Sequence, residues 1–171
     1  MPITDWLLPE YDVEMAATRR VLERTPMDDP EWKPHEKSMT IGYLAFLVAS
    51  LPGWTTSTLE RTELDIQPPE GQAWGQDAPR TIEALLERFD HDVAEGRTAL
   101  AEATEQAFQV PWSLKMGDHV LMTQPRWMVY RRSVINHLVH HRAQLGVYLR
   151  LRNVPVPAVY GPSADEQTFS D

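Results

Sequence analysis

The 171-residue sequence contains no cysteine. This absence excludes disulfide bonds, thiolate metal ligands and cysteine nucleophiles, so any metal site has to use histidine, aspartate or glutamate. A reaction that needs a thiol would have to take it from another molecule. Chemistry by a thiol of the protein itself is therefore excluded.

The sequence also lacks long apolar runs. No stretch approaches the roughly 18 apolar residues that a transmembrane helix needs. The first residues, MPITDWLLPEYD, have neither the basic start nor the apolar stretch of an export signal. We therefore expect a cytoplasmic protein with no membrane partner. Its length suits a single domain over residues 1–171.

Positive charge is scarce. There are 16 lysines and arginines against 25 aspartates and glutamates, which gives a formal net charge of −9. A phosphate backbone is repelled by such a balance. The arginines near the end of the sequence are typical of a solvated helix face. We therefore expect no nucleic-acid partner.

Four segments repeat apolar residues at helical spacing and predict an all-α fold. The predicted helices lie near residues 5–24, 38–51, 78–107 and 125–152. The apolar stripe of the first helix consists of Leu8, Tyr11, Met15, Thr18 and Leu22. Each helix therefore has one face that can be buried against the others.

The connections differ in length and character. Ser38 is the predicted N-cap of the second helix. The connection 52–77 is too long for a tight turn and predicts a crossover between the second and third helices. The segment 108–124 alternates apolar and polar residues around Gly117 and Asp118, which predicts a short hairpin before the last helix.

Two histidines one turn apart mark the last helix as the candidate functional centre. At about 100° per residue, His141 falls in the inward band and His137 lies at its edge, whereas His140 lies off that face. The predicted inward band consists of Trp127, Tyr130, Val134, Leu138, His141, Leu145, Tyr148 and Leu149. Imidazoles at i and i+4 can bridge one zinc- or nickel-like ion. Hydrogen-bonded core histidines have the same spacing, so both interpretations stay open. Gln144 follows on the same edge, where its amide can bind a ligand, a water or a neighbouring ring.

Three separated stretches carry a resemblance to a known family. The runs HLVHHRAQL, PHEKSMTIGYLAFLVASLPGW and VPVPAVYGPSADE closely resemble the DinB/YfiT-like superfamily over nearly the whole chain. The resemblance implies a DinB-like four-helix bundle with helices running up-down-down-up, often assembled as a homodimer. It also implies a divalent metal held by three histidines, one from the second helix and an HxxxH pair from the fourth. Some relatives are isomerases or S-transferases that use low-molecular-weight thiols.

Carried over residue by residue, the resemblance implies an incomplete metal site. The fourth-helix pair matches His137 and His141, but Leu47 occupies the position of the second-helix ligand. A leucine has no lone pair to offer a metal. Two neutral imidazoles alone rarely hold an ion tightly.

Two other residues are candidate replacements for the missing ligand. Glu14 borders the inner stripe of the first helix and is a candidate ligand or catalytic base. His119, on the connection before the last helix, is a second candidate. His35 precedes Leu47 by 12 residues, or about 18 Å along a helix, so it is a poor substitute. We interpret His35 and His91 as cap or surface residues.

Two functions remain open from the sequence. The first is a metal-dependent transferase or hydrolase acting on a small electrophile, with zinc or nickel at His137 and His141 and an external low-molecular-weight thiol as cofactor. The second is a non-catalytic small-ligand-binding or dimerisation module with a degenerate metal site. Large aromatic side chains could line a pocket between helices or fill the core. They are Trp54, Trp74, Trp112 and Trp127.

Overall fold

The computed structural model describes residues 2–67 and 79–167. These residues are mostly helical, and a small sheet accompanies the helices. The helices are α1 (Thr4–Glu23), α2 (Ile41–Ser50), α3 (Gly53–Glu60), α4 (Ile82–Glu102), α5 (Glu105–Gln109), α6 (Arg126–Val129) and α7 (His137–Leu151). A π-helical segment, Tyr130–Asn136, joins α6 to α7. The strands are β1 (Glu63–Asp65), β2 (Pro111–Met116) and β3 (His119–Pro125).

The first two predicted helices are present. In α1 the buried residues include Tyr11, Met15 and Leu22, and this stripe packs α1 against α4 and α7. The second helix begins later than predicted, because its N-cap is Thr40 and not Ser38. The Thr40 hydroxyl accepts a hydrogen bond from the backbone N–H of Tyr43 at 3.2 Å. That bond satisfies an N–H that the first turn would leave without a helical partner.

The third predicted helix is shorter than its apolar period suggested. Helix α4 ends at Glu102, and Thr104 then adopts an extended backbone with ψ 160°. Its hydroxyl accepts a hydrogen bond from the Ala107 N–H at 3.2 Å and begins the separate helix α5. A capping side chain inside a periodic stretch therefore interrupted the helix. At the other end, Thr81 caps α4 through the Ala84 N–H.

The connection 52–77, predicted as a crossover, carries helix α3 and strand β1. Residues 68–78, which include Trp74, lie outside the described part. The predicted hairpin is confirmed: β2 and β3 pair antiparallel, and Gly117 takes a positive φ of 58° in the turn. Strand β1 adds a parallel partner to β2, in the order β1-β2-β3. This third strand was not expected from the sequence, which predicted the hairpin alone.

One buried side chain of the sheet forms a hydrogen bond with helix α3. Trp112 of β2 is fully buried, and its indole N–H donates to the Ser57 carbonyl of α3 at 3.1 Å. Trp112 is thus a core residue. The hydrogen bond matters because a buried indole N–H without an acceptor would be costly.

The last predicted helix is one helical run, but it is not uniformly α-helical. A π segment has wider turns than an α-helix, so the residues on its two sides do not share one phase at 100° per residue. Val134, Leu138 and Leu145 are buried as predicted. Trp127, which precedes the π segment, was predicted to face inward and is instead 38% exposed.

Within the described ranges, no helix is both long enough and apolar enough to cross a membrane.

Two helical glycines offer a matched test of this packing. A Cβ at Gly96 of α4 would lie 2.5 Å from the Tyr11 hydroxyl and 2.9 Å from the Pro52 carbonyl oxygen. We expect Gly96→Ala to lower the free energy of unfolding by about 1–3 kcal/mol, because the backbone would have to shift. A Cβ at Gly146 of α7 meets only Val156, at 3.9 Å. Gly146→Ala should therefore raise stability by up to about 1 kcal/mol through helix propensity. Urea unfolding of both variants tests this, and equal effects would contradict it.

Candidate functional site

Three imidazoles and one amide form a compact group on α7. The ring centroids of His137 and His141 are 4.6 Å apart, and those of His140 and His141 are 4.8 Å apart. Gln144 contacts two of the three rings. We call His137, His140, His141 and Gln144 the His cluster. The two rings predicted to act together are therefore adjacent.

Gln144 orders the protons of the cluster. Its side-chain Oε1 lies 2.8 Å from Nδ1 of His141, and its Nε2 lies 3.1 Å from Nε2 of His140. An amide oxygen can only accept, so His141 donates from Nδ1 and keeps a lone pair on Nε2. The amide nitrogen can only donate, so His140 accepts at Nε2. Gln144 thus binds the neighbouring rings, one of the roles considered for it from the sequence.

Burial favours the neutral form of both inner imidazoles. Burial lowers the pKa of His137, and the adjacent His141 lowers it further against the opposing effect of a hydrogen bond to the Ser133 backbone. Burial also lowers the pKa of His141, although the hydrogen bond to Gln144 opposes the shift. Neutral imidazoles are the form that can accept a proton or coordinate a metal.

The surroundings of the pair are polar on one side and aromatic on the other. The Trp54 ring of α3 meets the His137 ring edge-on with centroids 6.3 Å apart. Next to the pair is a surface depression of about 340 Å³. It is lined by Arg132, Ser133, Asn136, His137 and His140. Part of this lining belongs to the π segment, an element that often occurs at functional sites.

The donors present do not fit a resident divalent metal. Structural and catalytic zinc sites use at least three protein ligands. Within residues 2–67 and 79–167, no group of three or more histidine, aspartate or glutamate side chains could hold a metal ion. Leu47, at the position of the expected second-helix ligand, is only 6% exposed and belongs to the hydrophobic core. The His pair therefore supplies two donors, and the second helix supplies an aliphatic side chain.

Glu14 forms a different buried group. One carboxylate oxygen lies 2.8 Å from Nη1 of Arg142, and both oxygens lie 2.8 Å from the Tyr160 hydroxyl. Arg142 also donates to the Glu14 carbonyl and to the Thr18 hydroxyl, each at 3.1 Å. Arg142 is 3% exposed and Glu14 is 9% exposed. The structure therefore places Glu14 in a buried ion pair and does not bring it together with the His cluster as a third metal donor.

Sequence reasoning missed Arg142 and Tyr160. The available signal was the spacing of Glu14 and Thr18, which lie one turn apart on the inner face of α1 and can both accept from one guanidinium. Tyr160 lies beyond the end of α7, so its contact with Glu14 of α1 could not be predicted from helical periodicity.

The remaining histidines lie apart from the cluster. His119 is exposed on β3 and does not form a metal-binding group with other described residues. His35 and His91 are exposed, as interpreted from the sequence. His35 accepts a local hydrogen bond from the Lys37 N–H at 3.1 Å.

Comparison with known proteins gives a consistent result. A model of the DinB family matches residues 7–170. A Bacillus subtilis (strain 168) relative, named "Uncharacterized protein YrdA", is 24% identical over 169 residues, which cover 95% of this chain and 90% of that protein.

Two crystal structures of DinB-like proteins share the fold. One, from Bacillus cereus ATCC 10987, has a TM-score of 0.65 at 19% identity and covers 90% of this chain and 95% of its own. The other, YjoA from Bacillus subtilis, has a TM-score of 0.67 at 15% identity, and the match covers 96% of this chain and 99% of YjoA. At these identities the likeness concerns the fold alone.

The buried ion pair can be tested against a surface pair on the same helix. Glu14→Ala would leave the Arg142 charge buried without its partner, so we expect a loss of about 3–5 kcal/mol in the free energy of unfolding. The control is Glu10→Ala, because Glu10 pairs with Arg131 at the surface, and such pairs contribute about 0–1 kcal/mol. Denaturant unfolding measures both. Similar losses in the two variants would show that the Glu14–Arg142 pair is not effectively buried.

The lowered pKa values of His137 and His141 predict that acid destabilises the fold. As the pH falls below the ordinary histidine pKa of about 6.5, these imidazoles become protonated in the unfolded chain while they remain neutral in the folded protein. The free energy of unfolding then decreases by at most about 1.4 kcal/mol per pH unit for each imidazole, and it levels off below the folded pKa.

Urea unfolding between about pH 8 and pH 5 measures this slope. We expect His137→Gln and His141→Gln each to make the slope shallower, whereas the exposed His35→Gln should leave it as in the wild type. Unchanged slopes in both cluster variants would contradict the prediction.

Proposed function

Because this chain belongs to the DinB family, we propose that it is a small-molecule-binding protein in which the metal site implied by the family resemblance is degenerate. The observation that carries the proposal is the donor set. His137 and His141 offer two imidazoles, while the second helix offers the buried side chain of Leu47.

The His cluster is suited to hydrogen bonding with a ligand. With Nδ1 of His141 engaged by Gln144, its Nε2 is left as an acceptor. The adjacent depression of about 340 Å³, which is lined by His137 and His140 but not by His141, is of a size that holds a small molecule. Arg132, Asn136 and His140 add polar groups to its lining. The ligand of this proposal is therefore a small polar molecule that donates a hydrogen bond to a neutral imidazole.

A second candidate is the metal-dependent transfer or hydrolysis of a small electrophile. One observation favours it: Nδ1 of His141 is hydrogen-bonded to Gln144, which leaves a lone pair on its Nε2. Metal-binding histidines are commonly oriented in this way through the nitrogen that does not face the metal. Zinc or nickel would then need a third donor from outside the described residues, and an external low-molecular-weight thiol is such a donor.

We also propose the assembly that the family resemblance implies. It comprises the four-helix bundle with up-down-down-up order and the homodimer, and a dimerisation module is one form of the non-catalytic alternative. Light scattering of the purified chain at several concentrations gives the oligomeric state.

Restoring the third imidazole separates the two candidates. We expect the untagged wild-type protein to hold far less than one equivalent of zinc or nickel after dialysis. Leu47→His should raise zinc affinity at least tenfold, a gain of about 1.4 kcal/mol or more in binding free energy, because it completes a three-histidine set. Elemental analysis and competition with a chromophoric chelator measure both quantities.

Leu47→Asn is the matched control, since it adds polarity at the same buried position without an imidazole, at a cost of about 1–3 kcal/mol in either variant. Circular dichroism checks that both variants fold. One tightly held metal equivalent in the wild type that disappears in His141→Ala would favour the enzyme and refute the degenerate site. An unchanged affinity in folded Leu47→His would show that this position does not face the pair.

A further inference from the structure

A second cavity lies on the other side of α7 from the His cluster. At about 100° per residue, Gly146 is turned roughly half a circle from His137 and Gln144. The cavity has a volume of about 400 Å³ and lies between α7, α1 and the segment that follows α7. Its walls are largely aliphatic and include Val21, Val139, Gly146, Val156 and Val159. Its size falls in the range of small-molecule pockets and is too small for a helix.

The polar end of this cavity is built by Arg142 and Tyr160. The Tyr160 hydroxyl accepts a hydrogen bond from Nη2 of Arg142 at 2.5 Å and donates to the carboxylate of Glu14 at 2.8 Å. The position of this one oxygen therefore demands a group that donates and accepts at once. The Tyr160 residue is 62% exposed, so little packing holds its ring in place apart from the Arg142 guanidinium, which lies 5.1 Å from the ring centroid.

The charges around this position exclude ionic groups. A carboxylate placed there would lie against the carboxylate of Glu14, and an ammonium would lie against the guanidinium of Arg142. The second arginine of the lining, Arg150, is already paired with Asp165, at 2.5 Å. Burial and the hydrogen bond to Glu14 raise the pKa of Tyr160, which keeps its phenol protonated and uncharged.

We propose that this cavity binds a small molecule with an apolar body and one uncharged hydroxyl, a phenol or an alcohol, whose hydroxyl replaces that of Tyr160 between Arg142 and Glu14. The phenol of Tyr160 is then an internal stand-in for the ligand. On binding, the Tyr160 ring turns toward solvent and the apolar body of the ligand fills the valine-lined space. This site does not depend on the His cluster or on the function proposed for it.

Three probes of nearly the same shape test the chemistry: 4-propylphenol, 4-propylanisole and 4-propylbenzoate. Amide chemical shifts of the full chain are followed during titration with each probe. We expect saturable binding of the phenol, with shifts centred on α7 from Val139 to Val147. The anisole cannot donate to Glu14, and the benzoate carries a charge, so both should bind at least tenfold more weakly.

Tyr160→Phe tests the replacement of one hydroxyl by another. Without the competing hydroxyl, the phenol should bind several-fold more tightly to this variant, whereas the affinity for the anisole should not change. Weaker binding of the phenol to Tyr160→Phe would overturn the proposal, because Tyr160 would then be a contact of the ligand and not its stand-in.

Gly146→Leu tests the location, because its side chain would extend into the cavity next to Val156. We expect it to abolish binding of 4-propylphenol, while the matched variant Gly146→Ala retains it. The proposal is overturned if none of the probes binds saturably, if phenol and anisole bind equally well, or if Gly146→Leu binds like the wild type.

Discussion

The buried ion pair between Glu14 and Arg142 ties the first helix of the chain to the last. Arg142 is 3% exposed, so its guanidinium has to be hydrogen-bonded within the protein. Its partners on α1 are the Glu14 carboxylate, the Glu14 backbone carbonyl and the Thr18 hydroxyl. An unpaired charge at this depth would be unstable. The pair therefore fixes the rotation of α7 about its own axis.

That rotation decides what each face of α7 presents. With Arg142 directed at α1, the apolar residues Leu138 and Leu145 enter the core, and His137 turns toward Trp54 of α3 and the polar depression. The opposite face, around Gly146, borders the valine-lined cavity. One helix thus separates a polar site from an apolar one, and a ligand at one need not contact the other.

The His cluster contains two of the three imidazoles that the family resemblance implies. Its two inner rings, His137 and His141, lie adjacent, and Gln144 orients His141. The aliphatic Leu47 belongs to the core and offers no electron pair. Polar nitrogens without a partner would be costly at the buried position of His141, which is 7% exposed. The hydrogen bond between His141 and Gln144 offsets that cost whether or not a metal binds.

The amino-acid sequence alone determined the positions of the long helices, the hairpin around Gly117 and the adjacency of His137 and His141, because helical and strand periods and an i, i+4 spacing are local properties. The resemblance to the family could also be recognised from the sequence, since it rests on runs of neighbouring residues. Only the tertiary structure decided the exposure of Trp127, which precedes the π segment, and the interruption of the third helix at Thr104. It also decided the parallel pairing of β1 with β2 and the contacts among Glu14, Arg142 and Tyr160. These features depend on contacts between residues far apart in the chain, or on competition between a local cap and a longer period, and no periodicity encodes them.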